Sequence, residues 1–193
     1  MHKDTSRVSG DTSLVDGIKR GFVLSENSRQ EILDCLDEDI FKINRAEVYA
    51  GRGKSKEQMT DEYRGTSQRV NIHQDLFPEA KRELEEWVAD GTKVGQFDLI
   101  IYREGSRFKK HIDNYNFHDY ERKRIHSTST ILHKSDDLVG GDLILYDSRD
   151  DDSGTVIDIE VGETVLFYPD RWHEVTEVTQ GMRICLISWL KNS

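Results

Sequence analysis

His111-Ile-Asp113 sets an imidazole and a carboxylate two residues apart. In a strand that spacing projects both side chains from one face, side by side. A further histidine, His173, follows Pro169-Asp-Arg-Trp172 between two predicted strands. Two neutral imidazoles and one carboxylate on one side of a cation leave three positions open. That is the arrangement suited to a non-haem Fe(II) ion that must accept both a chelating co-reactant and O2. The single carboxylate offsets one positive charge, so an incoming anionic chelator is still attracted. Arg183, ten residues after His173 and just past the Gly181 turn, is the natural partner for a carboxylate held away from the metal. A guanidinium forks onto a carboxylate through two parallel charge-assisted bonds. An HxD pair alone arises often by chance, so the weight lies in the order of these elements along the chain.

The elements that must position these groups are legible in outline. Gly21–Leu24 reads as a short strand. Ser25 and Ser28 offer N-caps, with Glu31 in capping-box position after Ser28, to a helix carrying Ile32, Leu33, Cys35 and Leu36 and ending near Asp39. A second helix starts at Pro78, places Ala80, Leu84, Trp87 and Val88 on one face, and stops at Gly91. Between the helices, residues 45–72 are polar with little periodicity and read as a functional loop. After Gly91, eight short runs are separated by turn residues: Gln96–Tyr102, Phe108–Asp113, His126–His133, Asp142–Tyr146, Thr155–Ile159, Thr164–Tyr168, His173–Val178 and Met182–Leu190. Helices followed by strands alone predict a mainly β, α+β chain with a jelly-roll core. Alternation along the last strand puts Arg183, Cys185, Ile187 and Trp189 on one face and Ile184, Leu186 and Ser188 on the other. An arginine aimed into an otherwise apolar barrel is costly unless it meets an anion there.

With these residues in order, the chain resembles the Fe(II)/2-oxoglutarate-dependent oxygenases, and within them the prolyl 4-hydroxylase-like branch. The resemblance covers about Phe97 to Leu190. It rests on Tyr102-x-x-Gly105, His111-x-Asp113, Gly140-Gly141-Asp-Leu, His173-Glu-Val-x-x-Val-Thr-x-Gly181-x-Arg183, and Trp189 six residues on. It implies a double-stranded β-helix (jelly roll, cupin-like) core and iron on His111, Asp113 and His173. It further implies 2-oxoglutarate chelating that iron, with its far carboxylate on Arg183, O2 as second cosubstrate and ascorbate as a possible reductant. Tyr102 matches the tyrosine that hydrogen-bonds the cosubstrate. Relatives place a further cosubstrate contact on the strand of Ser127, Ser129 and Ile131. Some carry Tyr near Ile131, and Ser129 is the substitute expected here. Arg64-Gly-Thr-Ser67 is similar to a loop that covers the substrate, so Arg64 is a substrate candidate, as is Trp189. The implied reaction is hydroxylation of an unactivated C–H, of a prolyl or other peptidyl residue, with release of succinate and CO2. Asp at 113, where a halogenating relative has Gly or Ala, favours hydroxylation.

Composition narrows the alternatives. The 193 residues carry a net charge of −10, which disfavours nucleic acid and anionic membranes as partners. The basic clusters Arg103–Lys110 and Arg122–Arg124 read as solvated surface. GRGKS at 51–55 lacks the first glycine of a phosphate loop, since position 48 is Val. No apolar run approaches the ~18 residues of a spanning helix, and the start has no apolar signal core. Cys35 and Cys185 read as reduced core thiols. The expectation is therefore one cytoplasmic oxygenase domain over 1–193: residues 1–15 loose, 16–92 helical support and substrate loop, and 93–191 the β core. His73, His118, His126 and His133 lack partner spacing and read as solvated. Asp150-Asp-Asp152 reads as a polar hairpin tip. Three competing readings stay open: a hydroxylase of a free amino acid or small metabolite, a non-catalytic cupin-like metal-binding protein, and a base-repair dioxygenase. Arg183 counts against the second. The charge and a missing downstream arginine count against the third. The oligomeric state is undetermined at this level.

Overall fold

Two antiparallel sheets stack face to face in a computed structural model that describes residues 17–37, 42–47, 55–88, 91–114 and 124–192. The larger sheet contains β1 (Ile18–Phe22), β2 (Asn44–Arg45), β3 (Gln68–Ile72), β4 (Thr92–Arg103), β6 (Arg124–Lys134), β9 (Glu163–Phe167) and β11 (Met182–Asn192), in the order β1-β9-β6-β11-β4-β3-β2. The smaller contains β5 (Phe108–His111), β7 (Leu143–Tyr146), β8 (Thr155–Ile157) and β10 (Trp172–Val175), in the order β5-β10-β7-β8. This is the expected double-stranded β-helix, and each of the eight runs predicted after Gly91 is a strand.

Helices α1 (Glu26–Asp34), α2 (Lys56–Arg64) and α3 (Pro78–Val88) complete the described elements, with short 3₁₀ turns at Cys35–Asp37 and Gln74–Leu76. Ser25 caps α1 by accepting from the Ser28 N–H. In α3, Ala80, Leu84 and Val88 are buried, while Arg82 pairs with Glu79 and Glu86 on the wet side. Helix α2 lies against β5, whereas α1 and α3 cover one face of the larger sheet. Phe97, Leu99 and Ile101 of β4 and Ile184, Leu186 and Leu190 of β11 meet Ile32, Ala80 and Leu84 there in one apolar cluster. The opposite residues of the same strands, Ile100, Tyr102 and Cys185, face the smaller sheet and join Leu143, Leu145 and Val175.

Residues 45–72 depart from the expected loop. Residues 48–54 lie outside the described residues, and with them most of GRGKS, but Ser55 and Gln58 form a reciprocal capping box that starts α2. β3 then pairs with β4 from Gln68↔Ile101 to Ile72↔Phe97. Its alternation is weak in sequence because Gln68, Arg69 and Asn71 are polar; long-range pairing makes it a strand. The first helix ends as α-helix at Asp34 rather than near Asp39. The expected loose residues 1–15 and His118 lie outside the described residues. Asp151 accepts from the Asp147 and Ser153 N–H groups, the polar hairpin tip anticipated for the acidic run. Both cysteines are free and buried. Among the described residues no helix is long and apolar enough to cross a membrane.

Candidate metal centre

Pairing of β10 with β5 sets His173 directly opposite His111, with ring centroids 4.1 Å apart. Each ring is aimed by a bond from its own strand: Nδ1 of His111 lies 2.8 Å from the Lys109 carbonyl, and Nδ1 of His173 lies 2.8 Å from the Arg171 carbonyl. A carbonyl only accepts, so each Nδ1 carries a proton and Nε2 is the atom left to bind a metal. Asp113 is not on the strand, contrary to the simple HxD picture, because β5 stops at His111. It sits in the following bend, where its N–H donates to the Pro169 carbonyl at 2.8 Å. Its carboxylate oxygens lie 3.6 Å from His111 Nε2 and 3.8 Å from His173 Nε2.

Two lone pairs and a carboxylate therefore converge on one point, with their donor atoms within 4.8 Å of one another. Such a set repels itself unless a cation stands between its members, and its two nitrogens and one oxygen suit a divalent transition metal. Burial, then the neighbouring His173, push His111 down to about 4, against the opposing pull of Asp113. Burial raises the Asp113 carboxyl, but His173, His111 and Ser127 outweigh it and hold it well below the usual carboxylate range. At neutral pH the centre thus offers a neutral His111 and an ionised Asp113, the protonation states a metal requires.

Supporting contacts orient the carboxylate. Ser127 Oγ donates to Asp113 Oδ2 at 2.7 Å, and Arg124 Nη1 donates to the Asp113 carbonyl at 2.7 Å. The Arg124 guanidinium also lies 4.1 Å above the Trp189 ring. Ser127 was grouped with Ser129 as a cosubstrate contact, and it serves Asp113 instead. Arg124 was assigned to solvated surface. Its role has no sequence signature, because it depends on the return of β6 alongside the bend after β5.

All eight residues singled out as site candidates line one cavity: Arg64, Tyr102, His111, Asp113, Ser129, His173, Arg183 and Trp189. The empty space between these side chains, its open mouth included, is about 520 Å3. Arg183, Cys185, Ile187 and Trp189 all face it, as alternation required. Arg183 is 2% exposed, donates from Nη1 to the Gly141 carbonyl, and lies 5.4 Å from the centre of the Tyr102 ring. Its Nε is buried without a hydrogen-bond partner. Gly141 makes the room: a Cβ there would sit 3.1 Å from Arg183 Cδ, and its φ of +73° disfavours any side chain. Burial, then Cys185, push the Tyr102 hydroxyl up to about 12, so it stays a donor. Phe108 and Asp98 also line the cavity and went unrecognised in the sequence, where each reads as an ordinary strand residue. Ile131 is core. His126 corrects the solvated reading: its ring is half-buried and stacks on Tyr168 at 5.7 Å.

Comparison with known proteins agrees with this geometry. Residues 97–191 match the family model described as the 2OG-Fe(II) oxygenase superfamily. A PKHD-type hydroxylase of Rhizorhabdus wittichii is 29% identical over 97 residues, which cover 48% of this chain and 41% of that protein. The chain thus spans well under two thirds of that relative. A prolyl-4-hydroxylase from Pseudomonas putida superposes with a TM-score of 0.62 at 17% identity, covering 92% of this chain and 93% of the other. A prolyl hydroxylase from Trichoplax adhaerens, solved with a hypoxia inducible factor peptide fragment, gives 0.64 at 19% identity over 92% and 84%. These two likenesses establish the fold. The family match, which begins within β4 and runs through the converging His, Asp and His to β11, identifies residues 97–191 as a region of the 2OG-Fe(II) oxygenase superfamily.

Proposed function

We propose that the chain is an Fe(II)- and 2-oxoglutarate-dependent hydroxylase. One C–H of the substrate, O2 and 2-oxoglutarate give the C–OH product, succinate and CO2, so that one oxygen atom enters each organic product. The observation that carries this reading is the pairing, in one cavity, of a converging His–Asp–His set with a buried arginine that no carboxylate of the described residues engages. His111, Asp113 and His173 would hold the iron, and Arg183 the far carboxylate of 2-oxoglutarate. The oxidant is O2; iron held there would supply its activation, and 2-oxoglutarate two of the four electrons that O2 takes up.

The chain's own residues position and enclose. The two Nδ1–carbonyl bonds fix the imidazole tautomers, and Ser127 fixes the carboxylate. Tyr102 and Ser129 offer hydroxyls along the path from the metal to Arg183. Ile100, Leu143, Val175 and Ile187 form apolar walls that keep water from the reacting carbon. Asp113 fills the position that a halide would need. A metal-binding protein without turnover has no use for Arg183, and this argues against the non-catalytic reading.

A prolyl or other peptidyl substrate is supported by the likeness to two prolyl hydroxylases, one of them solved with a peptide fragment. A free amino acid or small metabolite is the second reading, favoured by Arg64 in the cavity wall. Anaerobic titration with Fe(II) and 2-oxoglutarate tests the shared chemistry. A weak visible charge-transfer band is expected in the wild type and should vanish in Asp113→Ala. Absence of the band, together with no succinate formation in air, refutes the assignment.

A further inference from the structure

Arg64 ends α2, and its guanidinium carbon lies 3.1 Å from the centre of the Phe108 ring. Phe108 in turn lies 3.5 Å, ring centre to ring centre, from His111. The cation therefore stands one aromatic layer from the metal centre, in the wall of the same cavity as Arg183. The Tyr102 hydroxyl is one of its polar neighbours, and its Nε is buried without a hydrogen-bond partner. Among the described residues no carboxylate pairs with it. Asp98, the nearby acid of the wall, is taken up by Arg69, Asn71 and Gln96 at 2.8–2.9 Å. Burial lowers the Arg64 guanidinium below its ordinary value, the mark of a cation short of compensation.

The backbone holds this cation in place. Arg107 donates to the Asp61 and Glu62 carbonyls at the end of α2, and its own N–H donates to the Arg64 carbonyl. Gly65 packs so closely on Gly105 that a Cβ would sit 2.0 Å from its carbonyl oxygen. Arg64 is thus a preorganised donor, with little freedom left to lose on binding.

Charge balance then separates its role from that of Arg183. A loaded inner cavity is neutral: the metal's two positive charges and that of Arg183 meet one negative charge from Asp113 and two from 2-oxoglutarate. Arg64 remains over. We infer that the substrate bears a carboxylate close to the oxidised C–H and docks it on Arg64. This rests on the proposed function and narrows its substrate class to carboxylic acids, either free or as an acidic group of a peptide. The chain's overall negative charge would repel such a ligand at long range, and the cavity would attract it at short range.

The probes are the free proteinogenic amino acids, their C-terminal amides, and short proline-containing peptides with and without an acidic residue. Two readouts are used on the loaded protein: anaerobic perturbation of the charge-transfer band, and succinate release in air. Carboxylates should perturb the band and stimulate succinate, while matched uncharged partners should not. Free acids against acidic peptides then identify the source of the carboxylate. Arg64→Gln should raise KM for the active acid roughly ten- to a hundredfold, with Arg64→Lys recovering part of the loss. Its 2-oxoglutarate affinity should change less than about threefold. The inference is overturned if no carboxylate perturbs the band, if acids and amides act alike, or if Arg64→Gln weakens 2-oxoglutarate as much as loss of Arg183 does. Failure of the unperturbed band itself to form would instead strike the proposed function.

Discussion

Strands β4 and β11 show two chemistries back to back. Toward the helices, Phe97, Leu99, Ile101, Ile184 and Leu186 form a dry cluster in which every side chain is apolar and nearly inaccessible. Toward the smaller sheet, the alternate residues Asp98, Tyr102, Arg183 and Trp189 bring polar groups into a buried space, and the Nε of Arg183 and the Nε1 of Trp189 find no protein partner. The helix-side face stabilises the fold by removing apolar surface from water. The cavity side carries groups left short of partners, which is what a site for charged ligands requires. One strand supplies both because its side chains alternate.

Substitutions on the two faces should therefore separate stability from binding. The largest effect is expected for His173→Ala. Removing even a supporting partner costs ~10–100-fold in metal affinity, so loss of a ligand should exceed that and abolish the charge-transfer band. Leu99→Ala on the dry face should cost about 2–5 kcal/mol in denaturant unfolding, with 2-oxoglutarate affinity unchanged in the folded fraction. Arg183→Met should do the reverse. It should weaken 2-oxoglutarate roughly ten- to a hundredfold, as expected for a lost charge-assisted contact, while metal affinity and apoprotein unfolding stay near wild type. Equal loss of metal and cosubstrate would make Arg183 a structural residue and blur the two faces.

Acid should also act on the cavity side. Burial and His173 hold His111 at about 4 in the fold, against an ordinary value of 6.5. Between those values the unfolded chain binds more protons, so the contribution of His111 is complete above 6.5 and is lost as pH falls toward 4. Asp113, also depressed, adds loss of the same sign below its ordinary 3.8. Melting of the metal-free protein across pH 4–7 should show this slope, and His111→Asn should flatten it. The smallest effect is expected for Ser55→Ala, which removes the capping box of α2 at a cost of about 1 kcal/mol. Hydrogen exchange should report it as fraying of the first turn, far from the dry face.

Sequence patterning exposed the β core and the site ligands for a physical reason. Residues that share a strand face recur with period two, so Arg183, Cys185, Ile187 and Trp189 announced their common orientation before any fold was known. His111 and His173 were legible as candidates, but their cross-strand opposition depends on the register between β5 and β10, which no local pattern encodes. Asp113 reaches the site by a bend after the strand, and the period-two argument put it there by the wrong route. β3 and α2 were missed because their polar faces hide the period and long-range pairing with β4 decides the strand. Arg124 acquires its role from Asp113 and Trp189, and Phe108 from Arg64 as well as His111, combinations that no local pattern encodes.

β5 is four residues long and lies at the border of its sheet, where among the described residues β10 is its one strand partner. A cation shared by His111 and His173 would rivet that selvedge to the interior strand. Loading with metal should then slow amide exchange in Phe108–His111 far more than in β4, so that cofactor occupancy is written into the local unfolding of one small border strand.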